Sequence, residues 1–248
     1  MLTEEDIEIS KMEDQVLTIA GKDLLREIKL AKNIHKHAWQ LLEKIDGKAA
    51  LDDLKFYERF YLLLGIRSLT HLRSVIILIQ KGYAAEVASL GCNLLEIFMQ
   101  VKYVDEDKDR ASEWFNHKNP YKAVWGIGML FKHFDDSNLK EHYSALARIK
   151  HSQFYGTGIN MTPSEKGWNL DAGPSLDDWL LRWVLTYTTT SFVDILARIR
   201  ATFGKFHENY ATWNKIFNKI DTEFRLSYKE MVYETKMRLD NMKKETQK

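Results

Sequence analysis

Proline, glycine and cysteine are scarce in this sequence, and each shortage excludes something. Three prolines in 248 residues fall well below the usual share of about 5%. Twelve glycines are also few. Turn-rich sandwiches and barrels need more of both, which argues against an all-β fold. The one cysteine, Cys92, rules out an internal disulfide and a thiolate zinc cluster within one chain. Its apolar setting makes it a small core hydrophobe. Neither charge dominates. Lys plus Arg number 36 against 35 Asp plus Glu, a formal net charge of +1, so the global excess of a DNA-coating protein is missing. A local basic patch is still compatible. The N-terminus, Met1-Leu2-Thr3-Glu4-Glu5-Asp6, is acidic where a signal peptide is basic. The longest charge-free apolar runs fall short of the roughly 20 residues of a membrane span. These absences predict a cytoplasmic protein in a reducing compartment with no membrane partner.

Core-forming material is what the chain has. Apolar residues make up 45%, aromatics 12% with seven Trp, and charged residues 29%. A chain of this length and composition buries a large core. The expected class is all-α: a single-domain bundle of about seven or eight helices around an up-and-down centre, with one long Gly/Pro-containing loop.

Periodicity places the helices. Residues 1–20 are acidic and weakly periodic, and read as an N-terminal arm or short helix before a bundle domain spanning 21–248. Leu24, Leu25, Ile28, Ala31, Ile34, Ala38, Leu41, Leu42 and Ile45 form an amphipathic stripe that Asp46-Gly47 closes. A second helix is expected from Leu51 to Lys81, opened by Asp52 and Asp53 and stopped by Gly82, a third from Tyr83 to Val104. Asp105 begins a short fourth holding Ala111, Trp114 and Phe115; after the turn at Asn119-Pro120 come helices over Tyr121–Phe134 and Leu139–Phe154. The Asp135–Asn138 segment offers N-caps for the latter. From Tyr155 to Pro174 the texture changes to Gly, Pro and Asn, and loops of that length tend to be functional. Ser175-Leu176-Asp177-Asp178 resembles a capping box for a helix ending near Phe203. In the last helix, from about Glu208, the residues Tyr210, Trp213, Phe217, Ile220, Phe224, Tyr228 and Met231 are spaced like a heptad seam, for packing or for a homodimer through the C-terminal helix.

No phosphate-loop, dinucleotide, zinc-protease or serine-elbow motif occurs. His35 and His37 point to different faces of one helix and do not chelate; no metal or other cofactor is expected. The polar residues embedded among apolar ones stand out. Glu96, in Leu94-Leu95-Glu96-Ile97-Phe98, needs a partner if buried. Arg67 and His71 share a helical face, as do Arg148 and His151. Such pairs either bind a phosphate and move a proton or tie helices together in a hydrogen-bonded network. Tyr155 and Trp168 flank the long loop, where one can stack on a base.

Two stretches carry a resemblance. Gly82-Tyr83-Ala84-Ala85-Glu86-Val87-Ala88-Ser89-Leu90-Gly91-Cys92-Asn93-Leu94-Leu95-Glu96 and Tyr143-Ser144-Ala145-Leu146-Ala147-Arg148-Ile149-Lys150-His151 resemble the two motifs of a bacterial all-α family known as a domain of unknown function. One is a Gly-aromatic start leading into Arg-Ser-Leu-Leu-Glu; the other is a Leu-Ser-x-x-x-His type. The likeness covers Leu51 to Arg200 and singles out Glu96 and His151. The family's Arg falls on Cys92, so another cation would face Glu96; Arg67, Arg73 and Arg148 are candidates. That family is similar in turn to HEPN domains, helical bundles of prokaryotic toxins and antiviral systems, many of them metal-independent ribonucleases. Their signature sets an Arg and a polar residue several positions before a His; neither Arg67–His71 nor Arg148–His151 meets that spacing.

The resemblance implies a protein that cleaves or binds RNA in defence or stress. Arg148 would hold the phosphate, His151 would act as general acid/base and Glu96 would orient them. Arg67, His71, Arg73, Tyr155 and Trp168 are the further ligand-binding candidates. The alternative is a non-enzymatic helical interaction module in which the Glu/Arg/His cluster is structural.

Overall fold

The computed structural model describes residues 3–46, 53–119, 122–150, 161–164, 167–170, 174–175 and 177–245. They contain nine α-helices: α1 Glu4–Asp23, α2 Leu25–Asp46, α3 Phe56–Gln80, α4 Ala84–Glu106, α5 Arg110–Phe115, α6 Ile127–Phe134, α7 Ser137–Lys150, α8 Asp178–Phe203 and α9 Tyr210–Glu245. The fold is an all-α bundle. Its one sheet among the described residues is a hairpin of β1 Met161–Ser164 and β2 Gly167–Leu170, antiparallel, with Pro163 opposite Trp168. The stretch read as a loop thus contains a short paired segment.

Local chemistry sets the helix ends, and several differ from the sequence reading. The N-terminal arm is the full helix α1, which runs past Gly21 and buries Val16 and Ala20. In α2 the predicted stripe is buried from Ile28 to Ile45, but Leu25 is 48% exposed because its neighbour Leu24 takes the core position. α3 opens at Phe56, not Leu51. There the Glu58 carboxylate accepts the backbone N–H of Lys55 at 3.0 Å, the reciprocal half of a capping box. Gly82, after α3, has φ +85°, and a Cβ there would lie 2.9 Å from the Ser175 carbonyl oxygen; only glycine fits this turn. Asp105 and Glu106 belong to the last turn of α4 instead of opening α5, and α6 begins at Ile127 instead of Tyr121. Asp177, not Ser175, caps α8, accepting the Leu180 N–H at 3.0 Å.

Asp136 caps α7, its Oδ1 accepting the N–H groups of Asn138 and Leu139 at 3.0 and 3.2 Å. Asp136→Ala is expected to cost about 1 kcal/mol. Thermal melting checks this, with an expected fall of roughly 2–4 °C.

α3, α4 and α8 form the centre, with α7 covering α4 and α2 lying against α3, α8 and α9. α4 and α8 expose little because neighbours surround them, whereas α3 leaves Leu63, Ile66 and Ile77 exposed on one side. At Gly91 the α4 and α8 backbones come close: a Cβ would sit 2.7 Å from Thr188 Oγ1. By length and composition α3 and α4 could each cross a membrane, by a test that tolerates two charged residues per window, and 50% and 56% of those windows are buried in the bundle. Core helices pass the same test. The seam of α9 is turned inward, with Trp213, Phe217, Phe224 and Met231 buried. Trp213 stacks on Phe217 and donates Nε1–H to the His37 carbonyl at 3.2 Å.

A polar tie crosses this apolar interior. Glu27 on α2 is 2% exposed. Its Oε1 accepts from Arg182 Nε on α8 at 3.0 Å and from Ser227 Oγ on α9 at 2.9 Å. Arg182 reaches on to Glu234 at 2.7 Å.

Candidate functional site

Residues three and four apart on a helix share a face, so Asn93, Glu96 and Gln100 line up along α4. Across from them α3 presents Arg67. The connection between α5 and α6 closes over both and contributes His117 and Lys122, with Trp114 and Trp125 as walls. Together they enclose a pocket of about 420 Å³, within the roughly 300–1,000 Å³ usual for ligand sites.

The pocket is held from behind. Trp125 donates Nε1–H to Glu113 at 3.2 Å and packs edge-on against Phe60 and Tyr103. Trp114 also packs edge-on against Phe60. His117 Nε2 lies 3.1 Å from the Lys122 carbonyl oxygen. A carbonyl only accepts, so that nitrogen is the protonated one. Arg67 and Lys122 have no carboxylate partner among the described residues. Two cations face one carboxylate in this lining, which therefore favours an anion.

Glu96 is half-buried, and the Tyr143 hydroxyl of α7 donates to its Oε1 at 2.8 Å. Burial first, and then the neighbouring Glu96 carboxylate, push the Tyr143 phenol above its usual range. Glu96 Oε2 stays available to accept from a hydroxyl or amino group.

The other sequence candidates scatter. His71, one turn beyond Arg67, is half-buried, and its Nε2 has no partner among the described residues. Burial and, second, the Arg67 charge lower its pKa. Arg73 faces outward from α3 and lines a different cavity with His35, so it is not the cation opposite Glu96. Arg148 is exposed. The face of α7 turned to α4 bears Tyr143 and Leu146, and Arg148 lies off it. Arg148 and Glu96 are therefore not joined by a bond or ion pair. Lys150, two residues on, is the α7 cation whose charge reaches Cys92. His151 and Tyr155 lie outside the described residues, and so does the side chain of Trp168.

Cys92 is buried, and burial pushes its thiol up to about 11. It stays protonated at neutral pH and is no nucleophile. Among the described residues no group of three or more His, Cys, Asp or Glu could hold a metal.

Sequence reasoning missed Asn93, Gln100, His117 and Lys122. The Asn119-Pro120 pair marks a break in the helical pattern, but nothing in residue spacing shows that His117 and Lys122 come to face α3 and α4. Compared with family models, with curated proteins and with solved structures, the chain matches none.

Proposed function

We propose that the protein binds single-stranded RNA at the pocket between α3, α4 and the α5–α6 connection. One observation carries the reading: two cations without ion-pair partners among the described residues, Arg67 and Lys122, converge over aromatic walls and amide side chains in one pocket. Cations neutralise phosphates, amides and Glu96 read base or ribose edges, and aromatic rings accept a base. The resemblance of the Gly82–Glu96 and Tyr143–His151 stretches to HEPN-like bundles supports RNA over other anions. In this reading the protein works in the bacterial cytoplasm, in defence or stress, without a metal. The alternative module tied by a Glu/Arg/His network has the Glu96–Tyr143 bond for support among the described residues, but no Arg or His joined to Glu96.

Fluorescence anisotropy with a labelled single-stranded RNA, read at several salt concentrations, tests the proposal. The wild type is expected to bind with a steep salt dependence. Removing two phosphate contacts in the Arg67→Ala/Lys122→Ala double variant should lower the slope of log K against log salt by about 1.4, at roughly 0.7 per contact. Absence of binding, or an unchanged slope, would reject it. The same mixtures, with chelator present, report whether RNA is cut; a cut lost in His151→Ala would add metal-independent cleavage to binding.

A further inference from the structure

A second cavity, about 600 Å³, lies on the opposite side of α3 from the cationic pocket. Its floor is made by Leu42, Leu62 and Leu69, all buried, and its walls by Trp39 and Ile66, which are 56% and 49% exposed. Large apolar side chains left this exposed around one depression mark a binding surface.

Among the described residues the charged groups of this trough, and His35, stand at its ends. α2 and α3 run antiparallel: the Arg73 charge acts on His35, while Leu42 approaches Gly65. His35 and Arg73 therefore share one end, and Glu43 sits at the other. The rise from His35 to Glu43 along α2 is about 12 Å. Arg73 is exposed and has no ion-pair partner among the described residues, and neither has Glu43. Among the described residues the trough is thus mainly apolar along its length, cationic at one end and anionic at the other; the Thr70 hydroxyl, also in the lining, donates to the Ile66 carbonyl at 3.1 Å.

We propose that this trough binds a linear amphipathic monoanion, with the head on Arg73 beside His35 and the apolar chain along Trp39, Leu62, Ile66 and Leu69. The charge pattern sets the ligand's chemistry. The exposed Arg73 guanidinium takes a carboxylate in a forked hydrogen bond. The leucine floor takes a saturated chain, and Glu43 repels a second anionic group at the far end. A helix of another copy would meet the same walls but would have to place one acidic side chain on Arg73 and none near Glu43.

Decanoate, titrated below the concentration at which it self-associates, is the probe. Binding should shift tryptophan emission to the blue, and the shift should vanish in Trp39→Phe. Arg73→Ala should weaken binding by about tenfold or more. Decan-1-ol and decanedioate should both bind more weakly than decanoate, and Glu43→Gln should narrow the gap for decanedioate. Ile66→Glu should abolish the response. Both Arg73 and Ile66 are surface positions, so these variants should melt with the wild type; a response lost only together with the fold would count against the site. Equal affinity for decanoate and decan-1-ol, unchanged affinity in Arg73→Ala, or no blue shift would overturn the proposal. So would light scattering that shows a dimer split by Ile66→Glu, which would make the trough a contact between copies.

Discussion

Alanine in place of Glu27 is expected to destabilise the protein by about 3 kcal/mol, at the low end of the 3–5 kcal/mol for breaking a buried ion pair. Glu27 is almost wholly buried, and its Oε1 serves both Arg182 and Ser227. Without it the Ser227 hydroxyl is stranded in the interior, fully buried as it is, and unmade bonds there carry their desolvation penalty. The low end applies because Arg182 keeps Glu234 and its side chain is 21% exposed. Thermal melting should fall by roughly 6–12 °C. Glu27→Gln keeps an oxygen for both donors and should cost less than half as much. Equal losses for the two variants would mean that the cavity, not the charge, dominates.

Phe217→Ala should cost about 3–5 kcal/mol, the usual range for removing a buried phenyl ring. The ring is fully buried, stacks on Trp213 with centroids 5.4 Å apart, and carries the Arg200 guanidinium 4.5 Å above its face. Truncation opens a cavity and removes the nearer of the two rings under Arg200, which keeps Trp213 and its hydrogen bonds to Asn214 and Asn218. Denaturant unfolding followed by tryptophan emission reads both the midpoint and the loosened Trp213. Tyr233→Ala on the same helix is the control: that side chain is 66% exposed, and its loss should stay within about 0.5 kcal/mol. A comparable loss at both positions would show that α9 is held by its outer face.

These two sites differ in how visible they were. The Phe217 stripe announces itself, because burial on one side of a helix forces apolar residues into three- and four-residue steps. The stripe of α2 is visible for the same reason. α1 buries few positions, Val16 and Ala20 among them, and so left too weak a period to separate a helix from an arm. Glu27 left no trace at all. In Leu25-Arg26-Glu27-Ile28 it has the look of a solvated charge, and the groups that make it a core residue lie 155 and 200 positions away. The cationic pocket falls between these cases. Arg67 and Glu96 were singled out because they interrupt apolar helices. Lys122 and His117 come from an irregular connection, where no period constrains residue type.

The distances along the chain that hid the Glu27 tie also govern its order of assembly during synthesis. Glu27 leaves the ribosome early; Arg182 follows much later, and Ser227 later still. At roughly 5–20 residues per second, the span to Ser227 takes about 10–40 s. Until α8 brings Arg182, α2 has an acidic group in its packing face with no cation to receive it, and until the last helix brings Ser227 the tie is half made. Arrival of α8 is then the event that lets α2 bury its charge, and a chain stopped before Arg182 would expose both the charge and the apolar stripe beside it.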